Sequence, residues 1–214
     1  MLLLLFLVYI NSYSQNDGIS GNDFNDNPNV HLGIKVGIGL SNLESDELTN
    51  NQIRPGMAVG LYGNYFFNKK VLLQIELNGN LKGANFNFDS ASSLNKLSLF
   101  YLDMPVFIHV AIKKDAKFLP FIGLQPSLVF RKDAYKSQEF VPQPVSIGIK
   151  KYDFAVTAGL LFKISSVVGL QIQFNYGLIN INNPIPNQLR LPFYPYLGRG
   201  TTMYNRNFQL CLVF

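Results

Sequence analysis

Ionisable side chains of both signs recur where polar and apolar residues alternate along the sequence. Six of them form a predicted charge network in the interior of the fold: Lys35, Glu76, Lys82, Asp103, His109 and Asp153. Because buried charges must be paired or solvated, one prediction is a set of ion pairs that fills a narrow interior. The alternative is a path for ions or water, widened by glycines on the same faces: Gly37, Gly39, Gly60, Gly123 and Gly159.

The two histidines, His31 and His109, are the only ones available for acid–base catalysis. Asp103 and His109 share one face of a predicted strand, but their separation is roughly 20 Å at about 3.3 Å per residue. That distance exceeds hydrogen-bond reach. The sequence contains no metal-ligand spacing, phosphate-binding loop or nucleophile motif. We therefore predict a protein that is not an enzyme, with no catalytic residues, no metal and no cofactor.

Eight segments with period-2 alternation must position these side chains. They cover about residues 31–40, 56–67, 71–84, 97–112, 118–130, 151–163, 168–178 and 205–214. Links after the second, fourth and sixth segments are short, whereas the other links (41–55, 85–96, 131–150 and 179–204) are long. Short turns at one end and long loops at the other predict an all-β fold, an eight-stranded antiparallel up-and-down transmembrane β-barrel with both termini periplasmic.

A soluble barrel of the lipocalin type also alternates, with its apolar face inward. The aromatic residues decide against it, because they lie on the apolar face near the two ends of the strands, with aliphatic residues between. One predicted girdle contains Phe100, Phe130, Tyr152, Phe154, Phe174, Tyr176 and Phe208, and the other contains Tyr65, Phe118, Phe162 and Phe214. Paired girdles are typical of the two membrane interfaces. Arg206 is the one charge on the outward sets, and it lies at the rim.

The composition is compatible with this prediction. Of 214 residues only 14% are charged and 48% are hydrophobic, yet no apolar run reaches the length of a membrane-spanning helix. The net charge of +5 is spread over turns and loops, and the aromatics follow strand spacing, which argues against nucleic-acid binding. The single cysteine, Cys211, has no partner for an internal disulfide.

The N-terminus predicts export. An almost wholly apolar stretch over residues 1–10 leads into small residues at Ser12 and Ser14. We interpret 1–14 as a signal peptide, 15–30 as a disordered periplasmic lead-in rich in Asn, Asp and Gly, and 31–214 as the barrel domain. The predicted location is the outer membrane.

The last predicted strand carries an outward stripe of Phe208, Leu210, Leu212 and Phe214. This stripe resembles the C-terminal signature of Gram-negative outer-membrane barrels. The resemblance implies that these four residues act as an assembly signal for the barrel assembly machinery.

Two proline-containing stretches carry a family resemblance. Tyr101-Leu102-Asp103-Met104-Pro105-Val106 and Leu119-Pro120-Phe121-Ile122-Gly123-Leu124-Gln125-Pro126 resemble motifs of the PorT-like outer membrane protein beta-barrel proteins of Bacteroidetes. The resemblance covers about 32–214 and implies a porin-family, OmpA-like eight-stranded barrel. The role of the secretion-associated member cannot be transferred residue by residue. The interior prolines at 105, 120 and 126 remove ladder donors, and we expect a bulge at each one.

The long link 179–204 holds the candidate surface-contact residues Phe193, Tyr194 and Tyr196 among four prolines. Alternatively, this link folds inward as a plug. The predicted function is a non-enzymatic membrane scaffold or surface interaction module. A small diffusion pore and an accessory barrel of a protein secretion system are the alternatives. The expected partners are the lipid bilayer, outer-leaflet lipopolysaccharide, the barrel assembly machinery and an extracellular or secretion-machinery protein.

Overall fold

The computed structural model describes residues 30–45, 49–68, 70–87, 95–112, 116–136, 148–183 and 202–214. These ranges form ten strands: β1 Val30–Ser45, β2 Thr49–Gln52, β3 Arg54–Phe66, β4 Val71–Asn87, β5 Asn95–Asp103, β6 Val106–Val110, β7 Phe118–Lys136, β8 Tyr152–Lys163, β9 Gly169–Gly177 and β10 Met203–Val213. Within them, no helix is long and apolar enough to cross a membrane.

The strands form one antiparallel sheet that closes on itself. β1 pairs with β10 from Lys35–Val213 to Ser45–Met203, and the ladder continues around the sheet through β9, β8 and β7. β5 and β6 together occupy one position in the wall, and the short β2 pairs only with the end of β4. The predicted eight-stranded, all-β antiparallel barrel is therefore confirmed. We call the end that holds Val30 and Phe214 the N/C end, and the opposite end the loop end.

The break between β5 and β6 falls at Met104–Pro105, inside one predicted strand. The ladder passes this point because the amide of Glu76 donates to the carbonyl of Pro105, and the amide of Met104 donates to that of Pro126, both at 2.9 Å. The register of β7 with β8 is unbroken through Pro120 and Pro126, so the expected bulges at these prolines are wrong. The register shift between β5 and β7 lies elsewhere. Phe100 pairs with Arg131 and Tyr101 pairs with Val129, so Phe130 has no partner residue on β5.

The two faces of the barrel wall have opposite chemistry. Outward side chains are mostly large and apolar, and the two predicted aromatic girdles lie on this outer face near the two ends. Inward side chains at mid-height are polar and buried, as on β10, where Asn207 and Gln209 alternate with outward Phe208 and Leu212. An apolar exterior around a polar interior is suited to lipid and not to water.

Several strands continue into segments that the sequence predicted to be loops. β1 runs to Ser45, β4 to Asn87 and β7 to Lys136, and β2 lies within the predicted link 41–55. Those link boundaries are therefore wrong. The hydrophobicity pattern did not predict these extensions because their alternation is inverted. Their outward residues, such as Asn42 and Glu44, are polar, while an inward residue, Leu43, is apolar.

Candidate functional site

The middle of the lumen holds two buried ion pairs. Nζ of Lys35 on β1 lies 2.8 Å from Oε2 of Glu76 on β4, and both side chains are completely buried. Nζ of Lys82, also on β4, lies 2.7 Å from Oδ2 of Asp103 on β5. Four of the six residues predicted for the lumen charge network therefore meet as two pairs.

Neutral amides join the two ion pairs. Lys35 donates to Oε1 of Gln173, and Nε2 of Gln173 donates to Oε1 of Gln209, each at 2.8 Å. Gln209 then donates to Oδ1 of Asn80 at 2.8 Å, and Asn80 donates to Asp103. Because these side chains come from five different strands of the wall, their hydrogen bonds cross the lumen.

Two predicted members of the network stand apart from the ion pairs. Asp153 accepts hydrogen bonds from the amide of Phe154 at 2.7 Å and from Nδ2 of Asn205 at 3.3 Å. His109 is fully buried, and neither of its ring nitrogens has a hydrogen-bond partner among the described residues. Its ring packs against that of Phe121, with centroids 4.7 Å apart. The environment of His109 is therefore aromatic.

Aromatic rings close the lumen towards the N/C end. Phe107 is paired directly with Gly123 across the β6–β7 ladder, and Phe121 with Gly159 across the β7–β8 ladder. A Cβ added to Gly123 would lie 2.6 Å from Cδ1 of Phe107, so the ring occupies the space that the glycine leaves. Tyr62 covers Gly33 in the same way. Glycines that could have widened a path are instead covered by their neighbours' side chains.

An apolar cluster closes the lumen towards the loop end. Its buried members are Leu43, Ala84, Leu97, Leu99, Tyr101, Ile149, Ile181 and Met203, and Val129 packs against them. The ammonium of Lys82 lies 4.5 Å from the centroid of the Tyr101 ring and so connects this cluster to the polar layer. Arg54 is also buried at this end, where it donates to the carbonyl of Leu97.

Sequence reasoning missed the aromatic layer, the apolar cluster and Arg54. A signal for the aromatic layer was present, because inward Phe107 and Phe121 each have a glycine directly opposite once the strands are paired. The apolar cluster carried no such signal, since four of its members, Leu43, Ile149, Ile181 and Met203, lie in segments predicted to be loops. Among the described residues, no group of three His, Cys, Asp or Glu side chains could hold a metal ion.

The other predicted site residues divide into described and undescribed positions. Phe208, Leu212 and Phe214 are exposed on the outer face, and Leu210 lies half-buried between them. The contact residues Phe193, Tyr194 and Tyr196, the signal peptide 1–14 and positions 15–29 of the lead-in lie outside the described residues. Arg206 lies near the rim of the outer face, with its guanidinium 3.4 Å from the ring centroid of Tyr176 and paired with Glu44.

Residues 13–183 match the family described as "Outer membrane protein beta-barrel domain". The chain belongs to this family. It is similar in structure to Neisserial surface protein A (NspA), with a TM-score of 0.50, 10% identity and coverage of 86% of this chain and 97% of that one. OprG from Pseudomonas aeruginosa has a TM-score of 0.51 and 11% identity, with coverage of 85% and 93%. Among curated proteins no match was found.

Family membership places this outer-membrane barrel in the lipid bilayer and explains why the two faces of the wall differ in chemistry. The exposed apolar face contacts lipid, and the polar residues of the middle layer are enclosed by the wall. An eight-stranded barrel has an interior just wide enough for its own side chains. Among the described residues, the buried inward side chains form three layers, which are aromatic, polar and apolar.

Proposed function

We propose that this protein is a non-enzymatic, non-conducting outer-membrane barrel that serves as a membrane scaffold or surface interaction module. The observation that carries the proposal is the filling of the lumen. At mid-height, the Lys35–Glu76 pair and the amide bridge through Gln209 cross the interior. A steady ion path would have to break these contacts and also pass the apolar cluster, where dehydrating an ion is costly.

The proposed topology places the loop end outside the cell and both termini in the periplasm. Short links at the N/C end, such as 67–70 and 164–168, support this orientation, because outer-membrane barrels have short periplasmic turns. Under the same proposal, residues 1–14 are a signal peptide and residues 15–30 a periplasmic lead-in. Phe193, Tyr194 and Tyr196 would then face the outside, where lipopolysaccharide and an extracellular protein are the proposed contacts.

Planar bilayer recording tests whether the lumen conducts. The purified, folded chain should insert without producing steady conductance steps, whereas a general diffusion porin in the same bilayers supplies the positive control. Reproducible, ohmic steps from the pure protein would contradict the scaffold proposal and support the small diffusion pore.

The secretion-accessory role rests on the resemblance to PorT-like proteins of Bacteroidetes. Crosslinking in native membranes tests it: a secretion component should be captured from the loop end or from the periplasmic end. Capture of lipid alone would leave the scaffold as the better description. The enclosed ion pairs support the non-enzymatic part of the proposal, because their charged atoms are engaged with each other and hidden from any substrate.

The outward stripe of Phe208, Leu210, Leu212 and Phe214 is our proposed signal for the barrel assembly machinery. Replacing Phe214 with Ser should lower the amount of folded protein in cell membranes more than it lowers refolding into detergent micelles. An equal loss in both assays would identify Phe214 as an ordinary lipid-facing residue.

A further inference from the structure

The two ends of the barrel differ in the sign of their exposed charges. At the N/C end, the exposed Lys and Arg side chains of the described residues are Lys70, Lys117 and Lys163, and no described Asp or Glu side chain accompanies them. At the loop end both signs occur and pair, as in Arg131–Asp133 at 2.7 Å and Arg206–Glu44. The positive charge at the N/C end therefore has no counter-charge from a described side chain.

The three lysines lie on neighbouring parts of the rim. The amide of Lys163 donates to the carbonyl of Lys117 at 2.8 Å, and the amide of Ala111 donates to that of Lys70 at 2.7 Å. Three strand spacings separate β4 from β8, through β6 and β7. At about 4.8 Å each, they give an arc of roughly 14 Å along the rim. Flexible lysine side chains can converge over such a distance.

Aromatic rings on the outer face mark the level of this arc relative to the bilayer. Phe118 follows Lys117, Phe162 precedes Lys163, and the two rings lie 4.8 Å apart. Near Lys70, Tyr65 and Phe67 meet edge to face at 5.1 Å. Aromatic belts lie at the head-group level, and lysine stems extend along apolar surface to place the ammonium in the polar zone. The three ammonium groups are therefore at the height of lipid phosphates.

We propose that Lys70, Lys117 and Lys163 form a binding arc for anionic phospholipid head groups. None of the three forms an ion pair with a described residue, so each ammonium is available to a phosphate. A lipid phosphate is favoured over a free anion because the adjacent rings contact its acyl chains while the lysines contact its head group. That the occupied leaflet is the periplasmic one rests on the proposed topology, but the binding itself does not.

Native mass spectrometry of the full chain, released from detergent micelles, tests the arc directly. The protein is titrated with phosphatidylglycerol or with phosphatidylcholine of the same acyl chains. Because each lysine near an anionic surface adds a favourable electrostatic contribution, preference for phosphatidylglycerol should be roughly tenfold or more at low salt and should fall as salt rises.

The test variant is Lys70→Gln/Lys117→Gln/Lys163→Gln, and its matched control is Lys96→Gln/Lys132→Gln/Lys150→Gln at the loop end. All six side chains are exposed, and each triple variant removes the same amount of charge. Only the first should lose the preference. Heat-modifiable migration on gels checks that both variants fold.

Two results would overturn the proposal: no preference in the unmodified protein, or an equal loss in both triple variants, which would show that net charge alone is responsible. Neither depends on whether the barrel conducts, so this test and the bilayer recording can fail independently.

Discussion

The wall at mid-height and the extension of the same strands towards the loop end differ in which face is polar and which is apolar. On β1, Ile38 and Leu40 point outward at mid-height while Lys35 is buried inside. A few residues later, Asn42 and Glu44 occupy the outward positions and Leu43 is buried inside. The alternation is unbroken, but the chemistry of its two faces is exchanged.

The exchange recurs on β5. Lys96 and Ser98 are outward where Leu97 and Leu99 are inward, and towards mid-height Phe100 is outward where Asp103 is inward. The solvent outside the wall explains both arrangements. Where lipid surrounds the wall, polar groups are placed inside and must satisfy one another. Where water surrounds it, the interior becomes an ordinary apolar core. The exchange therefore marks the membrane boundary at the loop end.

The largest expected effect comes from removing a charge from the mid-height interior. Lys35→Met would leave the buried carboxylate of Glu76 without its ion-pair partner, at a cost of about 3–5 kcal/mol in unfolding free energy. Urea unfolding in lipid vesicles, followed by circular dichroism because the chain has no tryptophan, measures the change.

The double variant Lys35→Met/Glu76→Gln is the matched control, because it removes both charges and leaves a neutral amide. It should recover most of the lost stability. If the double variant were as unstable as Lys35→Met, the loss would come from packing. The claim that polar groups inside the mid-height wall must satisfy one another would then be wrong.

A cavity in the loop-end interior should have the next largest effect. Leu99 is fully buried in the apolar cluster, so Leu99→Ala should cost about 2–5 kcal/mol. Its outward neighbour supplies the control: Ser98→Ala should change the stability by no more than about 0.5 kcal/mol. Similar values for the two variants in the same urea titration would show that the cluster is not a core.

A charge placed on the outer face distinguishes the two regions by their solvent. Leu160 and Ile172 are directly paired on the outer face, and arginine at either should cost about 2–4 kcal/mol near mid-bilayer. Ser98→Arg, outward on the extension, should be nearly neutral. Thr157→Arg should differ from both, since Thr157 is fully buried in the lumen. If the barrel tolerated Ile172→Arg in vesicles but was destabilised by Ser98→Arg, the assignment of lipid to the mid-height outer face and of water to the extension would be reversed.

The sequence was sufficient to predict the direction of the side chains within the eight predicted segments and the closure of the wall. Alternation on β10 placed Gln209 inside and Phe208 outside, and the aromatic girdles indicated lipid on the outer face. The side-chain directions follow from local periodicity, which depends on neighbouring residues alone, whereas the barrel topology was predicted from the lengths of the links.

Contacts across the lumen could not be predicted in this way. Which inward residues meet depends on strand stagger, and a different stagger would change the partner of Lys35. The apolar cluster and the ends of β1, β4 and β7 were missed for another reason. The prediction equated outward with apolar, and this rule holds only at the height of the bilayer.

The smallest effect that still separates the two regions concerns Gln209. It accepts from Gln173 and donates to Asn80, and through these bonds it connects the two ion pairs. Gln209→Leu keeps the volume but leaves Oδ1 of Asn80 without its donor and Nε2 of Gln173 with only its 3.4 Å bond to Asn175, which should cost about 1–3 kcal/mol. Hydrogen-bonded groups in one network couple by about 0.5–3 kcal/mol, whereas separate contacts add. In a double-mutant cycle, Gln209→Leu should therefore couple to Lys82→Met in the polar layer but add simply to Leu99→Ala in the apolar cluster. Equal additivity with both partners would mean that the two ion pairs are independent and that Gln209 only fills space.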